Sequence, residues 1–162
     1  MNAIVSVTRD WGIGLKGALL VRNKADMHRF VELTMGGTVL MGRKTLESFP
    51  GGPLKGRRNV VLSRDPLYSP EGAECYRCVD DALAAVAAED PDKVWLIGGA
   101  SIYAALIDEC TKADVTKNDV VLPADAFFPN LDSSSSWHVQ KVEPGGTTKS
   151  GIAFDFVTYS HQ

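Results

Sequence analysis

Short apolar segments alternate with helical patterns through the first two thirds of the chain. The segments at residues 3–7, 38–41, 59–63 and 93–97 are mostly apolar, which is typical of strands buried on both faces of a parallel sheet. Between them, apolar residues recur every three or four positions, which is the spacing of a helix with one buried face. This alternation predicts an α/β fold with a parallel sheet.

The helices predicted between these strands have recognisable ends. The first begins after Asn23, a good N-cap residue, and ends at Gly36-Gly37. Residues 9–23, which precede it, form a long connection, and such connections are often functional. The remaining predictions are a short helix within 42–49, a brief strand at 74–77, a helix at 79–88 with Val79, Leu83 and Val86 inward, and a helix after Gly98-Gly99 with Tyr103, Leu106, Ile107 and Cys110 on one face.

The last third of the chain has a different pattern. Strands are predicted at 115–122, 137–142 and 152–159, with no helix between them. Neighbouring strands joined by loops usually pair antiparallel. The sheet is therefore predicted to be mixed.

Length and composition restrict the class of protein. The 162 residues suit one domain, which we expect to span residues 1–162. A net charge of -3 argues against non-specific binding of nucleic acid. No segment approaches the ~18 apolar residues of a membrane span. The N-terminus also lacks the basic region and apolar core of a signal peptide, so we expect a cytoplasmic protein.

The cysteines offer little chemistry. Cys75, Cys78 and Cys110 are an odd number, and the Cys-x-x-Cys pair has no second pair to complete a zinc site. We therefore predict no metal. A redox dithiol is the alternative for Cys75 and Cys78, although such motifs normally begin a helix and this one ends a predicted strand.

Glycines and cations follow three of the predicted strands. Gly98-Gly99 and Ser101 follow one, Gly42-Arg43-Lys44-Thr45 follows another, and Ser63-Arg64 ends a third. Ligands of open α/β sheets bind across the carboxyl ends of strands, where free N–H groups attract phosphate. The three ends could together hold one dinucleotide, although the full Gly-x-Gly-x-x-Gly fingerprint is absent. Alternatively, the glycines permit close packing and the cations are solvated.

Asp26 is the principal candidate for chemistry. At helical spacing it lies beside Phe30 and Leu33, on the flank of the apolar stripe. A carboxylate there is costly unless it is paired, and a heterocycle with N–H donors would pair it. The alternative is a first-turn acid that complements the helix dipole, three residues after Asn23.

Six motifs follow one another along the chain: DWGIG at 10–14, ADM at 25–27, VLMGRKTLES at 39–48, PLKGRRNVVLSR at 53–64, IGGASIY at 97–103 and FFP at 127–129. Together they resemble the dihydrofolate reductase family over about residues 2 to 160. The resemblance implies a mixed, mostly parallel eight-stranded sheet with an antiparallel C-terminal strand, flanked by about four helices. It also implies NADPH-dependent reduction of 7,8-dihydrofolate to tetrahydrofolate, by hydride transfer to pterin C6 with protonation at N5.

The resemblance assigns roles to individual residues. Asp26 would be the ionised group that bonds the pterin, and Arg57 would hold the glutamate α-carboxylate through its planar fork. The other substrate-binding residues would be Ile4, Ser6, Met27, Phe30, Ser48, Phe49, Leu54, Ile97, Tyr103 and Thr116. The cofactor NADPH would contact Ser6, Ile13, Gly14, Leu19, Gly42, Arg43, Lys44, Thr45, Leu62, Ser63, Arg64, Ile97, Gly98, Gly99, Ala100, Ser101, Ile102 and Tyr103.

The chain departs from the family pattern at a few positions. Leu20-Val21 stand where many members have Pro-Trp in a mobile loop, and the Trp indole there helps to order a water. This change leaves the proton route open. Lys24 replaces a frequent proline, and Ser101 stands where some members carry a basic residue for the 2′-phosphate. Arg64 is therefore the main reason to expect NADPH rather than NADH.

Other functions fit parts of the pattern. A riboflavin-pathway pyrimidine reductase would share fold and cofactor, but Asp26 and Arg57 favour the folate interpretation. A pterin- or nucleotide-binding module without turnover and a scaffold for protein contacts are the non-enzymatic alternatives. As partners we expect dihydrofolate and diaminopyrimidine antifolates, neither nucleic acid nor membrane, and a monomer.

Overall fold

An eight-stranded sheet forms the centre of the computed structural model, which describes residues 1–162. The strands are β1 Asn2–Val7, β2 Gly12–Leu15, β3 Ala18–Leu19, β4 Thr38–Gly42, β5 Arg58–Leu62, β6 Glu74–Tyr76, β7 Val94–Gly98, β8 Lys112–Asn118, β9 Ala126–Phe127, β10 Trp137–Thr147 and β11 Ala153–His161. The helices are α1 Lys24–Thr34, α2 Arg43–Glu47, α3 Val79–Val86 and α4 Ala100–Leu106. Short 3₁₀ helices occupy Pro91–Lys93, Ile107–Glu109 and Leu131–Ser133.

The strand order of the large sheet is β10-β11-β8-β1-β7-β4-β5-β6. Strand β11 pairs antiparallel with both β8 and β10, whereas the pairs among β8, β1, β7, β4, β5 and β6 are parallel. The predicted mixed, mostly parallel sheet with an antiparallel C-terminal strand and four helices is confirmed. No helix in the structure has the length and apolar character that crossing a bilayer requires.

Some predicted boundaries were wrong. Residues 9–23 are not only a connection, because β2 and β3 pair there as a hairpin and β9 completes a three-stranded sheet. Strands this short show no alternation that a sequence pattern could reveal. Strand β8 begins at Lys112 rather than at 115, and ends at Asn118 rather than at 122. Its polar residues Asp114, Thr116 and Asn118 are buried, so hydrophobicity gave a misleading signal.

Helix α1 positions the first candidate site residue. The Asn23 side chain caps the helix by accepting a hydrogen bond from the Asp26 amide at 3.1 Å. The helix ends before Gly36, whose φ of +80° suits glycine. Gly37 has a different reason: a Cβ there would collide with the Lys93 carbonyl oxygen. Both ends of α1 were therefore correctly predicted from residue type.

Apolar clusters cover the two faces of the sheet to different extents. The smaller cluster contains Ile4, Val39, Met41, Leu46, Val61 and Trp95. Several side chains packed against it keep part of their surface exposed, among them Phe30, Leu33, Phe49, Leu54 and Ile97. These half-buried side chains form an apolar wall beside the α1 side of the sheet, and this wall leads to the candidate site.

Candidate active site

Asp26 lies in the first turn of α1 and faces strand β8. The Thr116 hydroxyl donates a hydrogen bond of 2.6 Å to Asp26 Oδ1, while Oδ2 accepts none within the protein. Burial raises the pKa of Asp26 above its ordinary value; the Thr116 hydrogen bond lowers it, the Asp114 charge raises it and the Arg29 charge lowers it. The site therefore contains a desolvated carboxylate with one oxygen fixed and the other available to a ligand.

The apolar wall contains several of the residues predicted for the substrate. Ile4 is buried, and Phe30, Phe49, Leu54 and Ile97 pack on the same cluster. Met27 was predicted in this group, but half of it (51%) is exposed and it is not part of the cluster. Ser48 is exposed, and its hydroxyl donates to the Thr45 carbonyl at 2.6 Å. The wall can bind a flat apolar ring, with the carboxylate as its principal polar contact.

Arg57 lies beyond the other end of α1. Its Nη1 donates to Thr34 Oγ1 at 3.2 Å and its Nε to the Lys55 carbonyl at 3.0 Å. Burial lowers the pKa of Arg57, yet the guanidinium has no carboxylate partner in the protein. It thus remains available to a carboxylate of a ligand.

Asn59 fixes the turn that carries Leu54 and Arg57. Its Oδ1 accepts from the Leu54 amide at 2.9 Å, and its Nδ2 donates to the Leu54 and Arg57 carbonyls at 2.9 and 3.0 Å. Asn59 is buried. It stood in one of the motifs but was not predicted as a site residue, because its partners are backbone groups that a sequence does not reveal.

The carboxyl ends of β7, β4 and β5 lie side by side, as predicted. Met41 pairs with Gly98 and Gly42 pairs with Leu62, which brings the glycines and cations of three motifs to one edge. Two of these glycines also permit close packing. A Cβ at Gly98, which has a φ of +123°, would lie 3.2 Å from the Tyr103 ring, and one at Gly42 would lie 3.0 Å from Ile102. The packing interpretation and the ligand interpretation are therefore both compatible with these glycines.

The cations at this edge differ in their partners. Arg43 donates to Glu47 at 3.0 Å and to Asp65 at 3.4 Å, and it stacks 4.3 Å above the ring of Tyr68. Lys44 and Arg64 are exposed and take part in none of the ion pairs of the structure. The two unpaired cations are better placed to bind phosphate than Arg43.

The other residues predicted for the cofactor surround the same edge. Ser63 is buried and its Oγ accepts from the Asp65 amide at 3.3 Å. An added Cβ at Gly99 would lie 3.7 Å from Thr45 Oγ1, so these two residues are neighbours. Leu62 is buried, Ala100 and Ile102 are half-buried, and Ser101 is exposed in the first turn of α4.

Tyr103 connects α4 to the centre of the sheet. Its hydroxyl donates to the Ile4 carbonyl at 2.7 Å, and burial raises its pKa far above the ordinary range. Its ring contacts Phe128 edge-on at 4.7 Å. Tyr103 therefore stays protonated and acts first as a brace of the cleft.

Three residues predicted to contact the cofactor lie in the hairpin of β2 and β3. Gly14 pairs with Leu19 and with Ala126, and Ile13 packs against the larger core. Leu19 is 75% exposed at the far side of the hairpin. The three predicted cofactor contacts of this segment thus lie in different environments.

A chain of buried amides was missed by the sequence analysis. Asn118 Nδ2 donates to Ser6 Oγ at 2.9 Å and to the Val7 carbonyl at 3.0 Å. Asn23 Nδ2 in turn donates to Asn118 Oδ1 at 3.2 Å. This chain connects β1, through β8, to the cap of α1, and it fixes the start of the helix that carries Asp26.

A buried ion pair was missed as well. Arg29 on α1 binds Asp114 on β8 through two hydrogen bonds of 2.9 and 3.0 Å. The available signal was the period-two series Asp114, Thr116 and Asn118, which places three polar side chains on one face of β8. The predicted start of this strand at residue 115 hid that signal.

The cysteine side chains form no hydrogen bond with the polar residues of this cleft; the one that they make joins Cys110 Sγ to the Leu106 carbonyl. All three are free thiols: Cys75 is half-buried, Cys78 is exposed, and Cys110 is buried, where desolvation raises its pKa to about 12. No group of three or more His, Cys, Asp or Glu side chains in the structure could hold a metal ion.

Comparison with known proteins gives concordant matches. The family model described as dihydrofolate reductase matches residues 1–161. A dihydrofolate reductase of Neisseria gonorrhoeae is 37% identical over 98% of this chain and 96% of its own length. One of Mycobacterium tuberculosis is 36% identical over 91% and 89%. The solved dihydrofolate reductase of Enterococcus faecalis, complexed with NADP(H) and RAB-propyl, superimposes with a TM-score of 0.86 at 30% identity, covering 99% of this chain and 95% of its own.

Proposed function

The chain belongs to the dihydrofolate reductase family, and from that membership we propose how its own residues act in the cleft. The reaction is the NADPH-dependent reduction of 7,8-dihydrofolate to 5,6,7,8-tetrahydrofolate. The single observation that carries the proposed mechanism is the carboxylate of Asp26, desolvated and held at 2.6 Å by Thr116.

We propose that Asp26 binds the N–H edge of the pterin. Thr116 occupies Oδ1 and Oδ2 is free, so the carboxylate can accept hydrogen bonds from two neighbouring N–H donors in a fixed orientation. Its negative charge favours the protonated pterin, in which the C6=N5 bond is more electrophilic. Because Asp26 holds the opposite edge of the ring, the proton reaches N5 through water.

The residues at the ends of β4, β5 and β7 fit the cofactor. Lys44 and Arg64 offer unpaired cations, and side chains at Gly42 and Gly98 would crowd Ile102 and Tyr103. Arg64 would bind the 2′-phosphate; Lys44, Thr45 and Ser63 would bind further phosphate oxygens; and Gly98, Gly99 and Ser101 would line the pyrophosphate. When bound, NADPH supplies the hydride. The contribution of the chain is position and electrostatics.

We propose that Arg57 and the apolar wall hold the tail of the substrate. Phe49 and Leu54 would contact the benzoyl segment, and the free donors of Arg57 would bind the glutamate α-carboxylate. The Thr34 and Lys55 contacts hold the guanidinium in place before substrate arrives. This arrangement favours a folate over a phosphoribosyl-aminouracil as substrate, because a folate carries a carboxylate beyond its benzoyl segment, where Arg57 can bind it.

The β2–β3 hairpin would close over the ring and exclude bulk water. Leu20 and Val21 are half-buried beside it, and their side chains have no donor group to order a water. The proton route in this chain must therefore use another polar group of the cleft. Ser6 is suited to this: its oxygen already accepts from Asn118, so its hydroxyl hydrogen is free to donate elsewhere.

We further propose that residues 1–162 work as one domain and as a cytoplasmic monomer. Free thiols, including the exposed Cys78, suit a reducing compartment. Diaminopyrimidines should bind this cleft, because their protonated ring offers Asp26 the same donor pair as the pterin.

The test follows NADPH consumption with dihydrofolate at neutral pH. Asp26→Asn should keep the Thr116 hydrogen bond and NADPH binding while turnover falls by about 10²- to 10³-fold, as on removal of other fixed electrostatic groups. Asp119→Asn, which alters an exposed partner of Arg9, is the control and should retain activity. Near-wild-type turnover in Asp26→Asn would remove the proposed role.

A further inference from the structure

Arg29 and Asp114 form an ion pair directly behind the proposed substrate carboxylate. Arg29 Nε and Nη2 donate to the two Asp114 oxygens at 3.0 and 2.9 Å, and the side chains are only 23% and 11% exposed. Arg29 follows Asp26 by one helical turn, and Asp114 precedes Thr116 by two residues on the same face of β8. The pair is thus the next contact between α1 and β8 after the Asp26–Thr116 contact.

The surroundings hold this pair in place. The Arg29 guanidinium lies 4.4 Å from the centre of the Phe156 ring, and Nη1 lies 3.4 Å from Glu143 on β10. An arginine with two opposite charges and an aromatic face has few alternative positions. The pair therefore restricts how far the start of α1 can move relative to β8.

The two charges act in opposite directions on Asp26. The negative charge of Asp114 favours a proton on Asp26, and the positive charge of Arg29 disfavours it. Glu143 compensates Arg29 from β10, and Tyr103 faces Asp26 from α4 as a neutral phenol. The pKa of Asp26 therefore depends on the balance between the charges of Asp114 and Arg29.

We propose that Arg29 and Asp114 are positioning residues for the reduction: the pair fixes α1 against β8 beside Asp26 and balances the charge behind its carboxylate. This inference rests on the role proposed for Asp26. It differs from a structural brace in one respect, because the two partners have opposite electrostatic effects although loss of either breaks the same contact.

Four variants distinguish an electrostatic positioning role of this pair from a merely structural one. Arg29→Met leaves Asp114 without a partner, Asp114→Asn leaves Arg29 with Glu143 as its remaining carboxylate partner, and the double variant removes both charges. Arg29→Lys keeps the charge without the two-pronged hydrogen bond. Arg58→Met is the matched control, because Arg58 also binds carboxylates, Glu74 and Glu89, but at the β6 edge of the sheet.

The measurement is the pH titration of the Asp26 carboxyl carbon by NMR in ligand-free enzyme, with Asp26→Asn to assign the signal. The pKa of Asp26 should rise in Arg29→Met, fall in Asp114→Asn, and stay near the wild-type value in the double variant, in Arg29→Lys and in Arg58→Met. Shifts of the same sign in both single variants, or no shift, would overturn the proposal. If a single variant does not fold, the double variant and Arg29→Lys test the proposal, because neither leaves a buried charge unpaired. A marked shift of the Asp26 pKa in either of them would contradict the proposal.

A second measurement connects the charges of Arg29 and Asp114 to catalysis. In single-turnover hydride transfer, the pH above which the rate falls should move up in Arg29→Met and down in Asp114→Asn. The reason is that a more negative site keeps the proton on pterin N5 up to a higher pH. The NMR titration does not depend on turnover. Failure of the proposed function, seen as an active Asp26→Asn, is therefore distinguishable from failure of this inference, seen as a titration that ignores both charges.

Discussion

The two halves of the cleft meet their ligands in different ways. On the α1 side, polar groups already have partners: Asp26 binds Thr116, Arg57 binds Thr34, and Ser6 accepts from Asn118. At the ends of β4, β5 and β7, the useful cations Lys44 and Arg64 are exposed and unpaired. On the α1 side the binding groups are held in place by the protein before a ligand binds, whereas at the strand ends the cations gain their partners only from the ligand.

This difference has energetic consequences. A hydrogen bond to a buried charge has little competition from water, so removal of one partner leaves a large penalty. Exposed cations are screened by salt and contribute less each. Substitutions on the α1 side should therefore reduce activity more than comparable substitutions at the strand ends.

The largest effect expected from a change of this kind is that of Thr116→Val. The change keeps the side-chain volume but removes the donor to Asp26 Oδ1, which frees the carboxylate and raises its pKa further. Loss of a hydrogen bond to a charged group should lower kcat/KM about a hundredfold. Thr116→Ser keeps the hydroxyl and should recover most of the activity; equal losses in both variants would mean that packing, not the hydrogen bond, is responsible.

Arg57→Met should have the next largest effect. It tests whether the site that is formed before ligand binding extends to the tail of the substrate. Loss of a charge-assisted contact should raise KM for dihydrofolate about thirtyfold, with kcat nearly unchanged. A dihydropterin without the glutamate should show no difference between wild type and variant. A uniform loss on both substrates would contradict the assigned contact.

At the strand ends, Arg64→Ala should weaken NADPH about tenfold and NADH much less, and the difference should shrink at high salt. Arg43→Met is an informative comparison, because Arg43 is already paired with Glu47 and Asp65. Its loss should therefore matter less than that of Arg64. Equilibrium titration of cofactor fluorescence measures both, and equal losses of NADPH and NADH in Arg64→Ala would place the 2′-phosphate elsewhere.

The smallest effect is on stability. The pKa of Asp26 is raised in the folded protein, so its contribution to stability is fully present below the unfolded pKa and is lost as pH rises through the folded pKa. At neutral pH the ionised, desolvated group therefore costs stability. Asp26→Asn should increase the free energy of unfolding by about 1 kcal/mol at pH 7, and this gain should vanish below about pH 4. Urea denaturation at several pH values checks this, and a variant less stable at pH 7 would contradict it.

Much of the fold was predictable because its strands are short, apolar and separated by helices with clear caps. The sequence also predicted the three adjacent strand ends, because parallel strands bring their carboxyl ends to one edge of a sheet. For Asp26, spacing left a first-turn acid as the alternative, and the family resemblance supplied the site role. Strand β8 was predicted three residues too late at its start and four too late at its end, because Asp114 is polar and yet buried whereas the apolar residues Val120–Leu122 lie outside the strand. The small hairpin was missed because its strands are too short to show a period.

The missed parts of the site share one cause. The pairs Arg29–Asp114 and Asn23–Asn118 join residues far apart in the chain, so they depend on the register of β8 against α1, which no local pattern specifies. Arg43 illustrates the reverse case: its position at a strand end was correctly predicted, but its pairing with Glu47 and Asp65 was not.

The most direct test of the central claim is a crystal structure of this protein with NADP and a folate. The account predicts both Asp26 oxygens in use, with Oδ1 still bound to Thr116 and the carboxylate at about 2.7–3.1 Å from two N–H donors of the pterin. A ring bound elsewhere in the cleft, with Asp26 contacting only Thr116 and solvent, would contradict it.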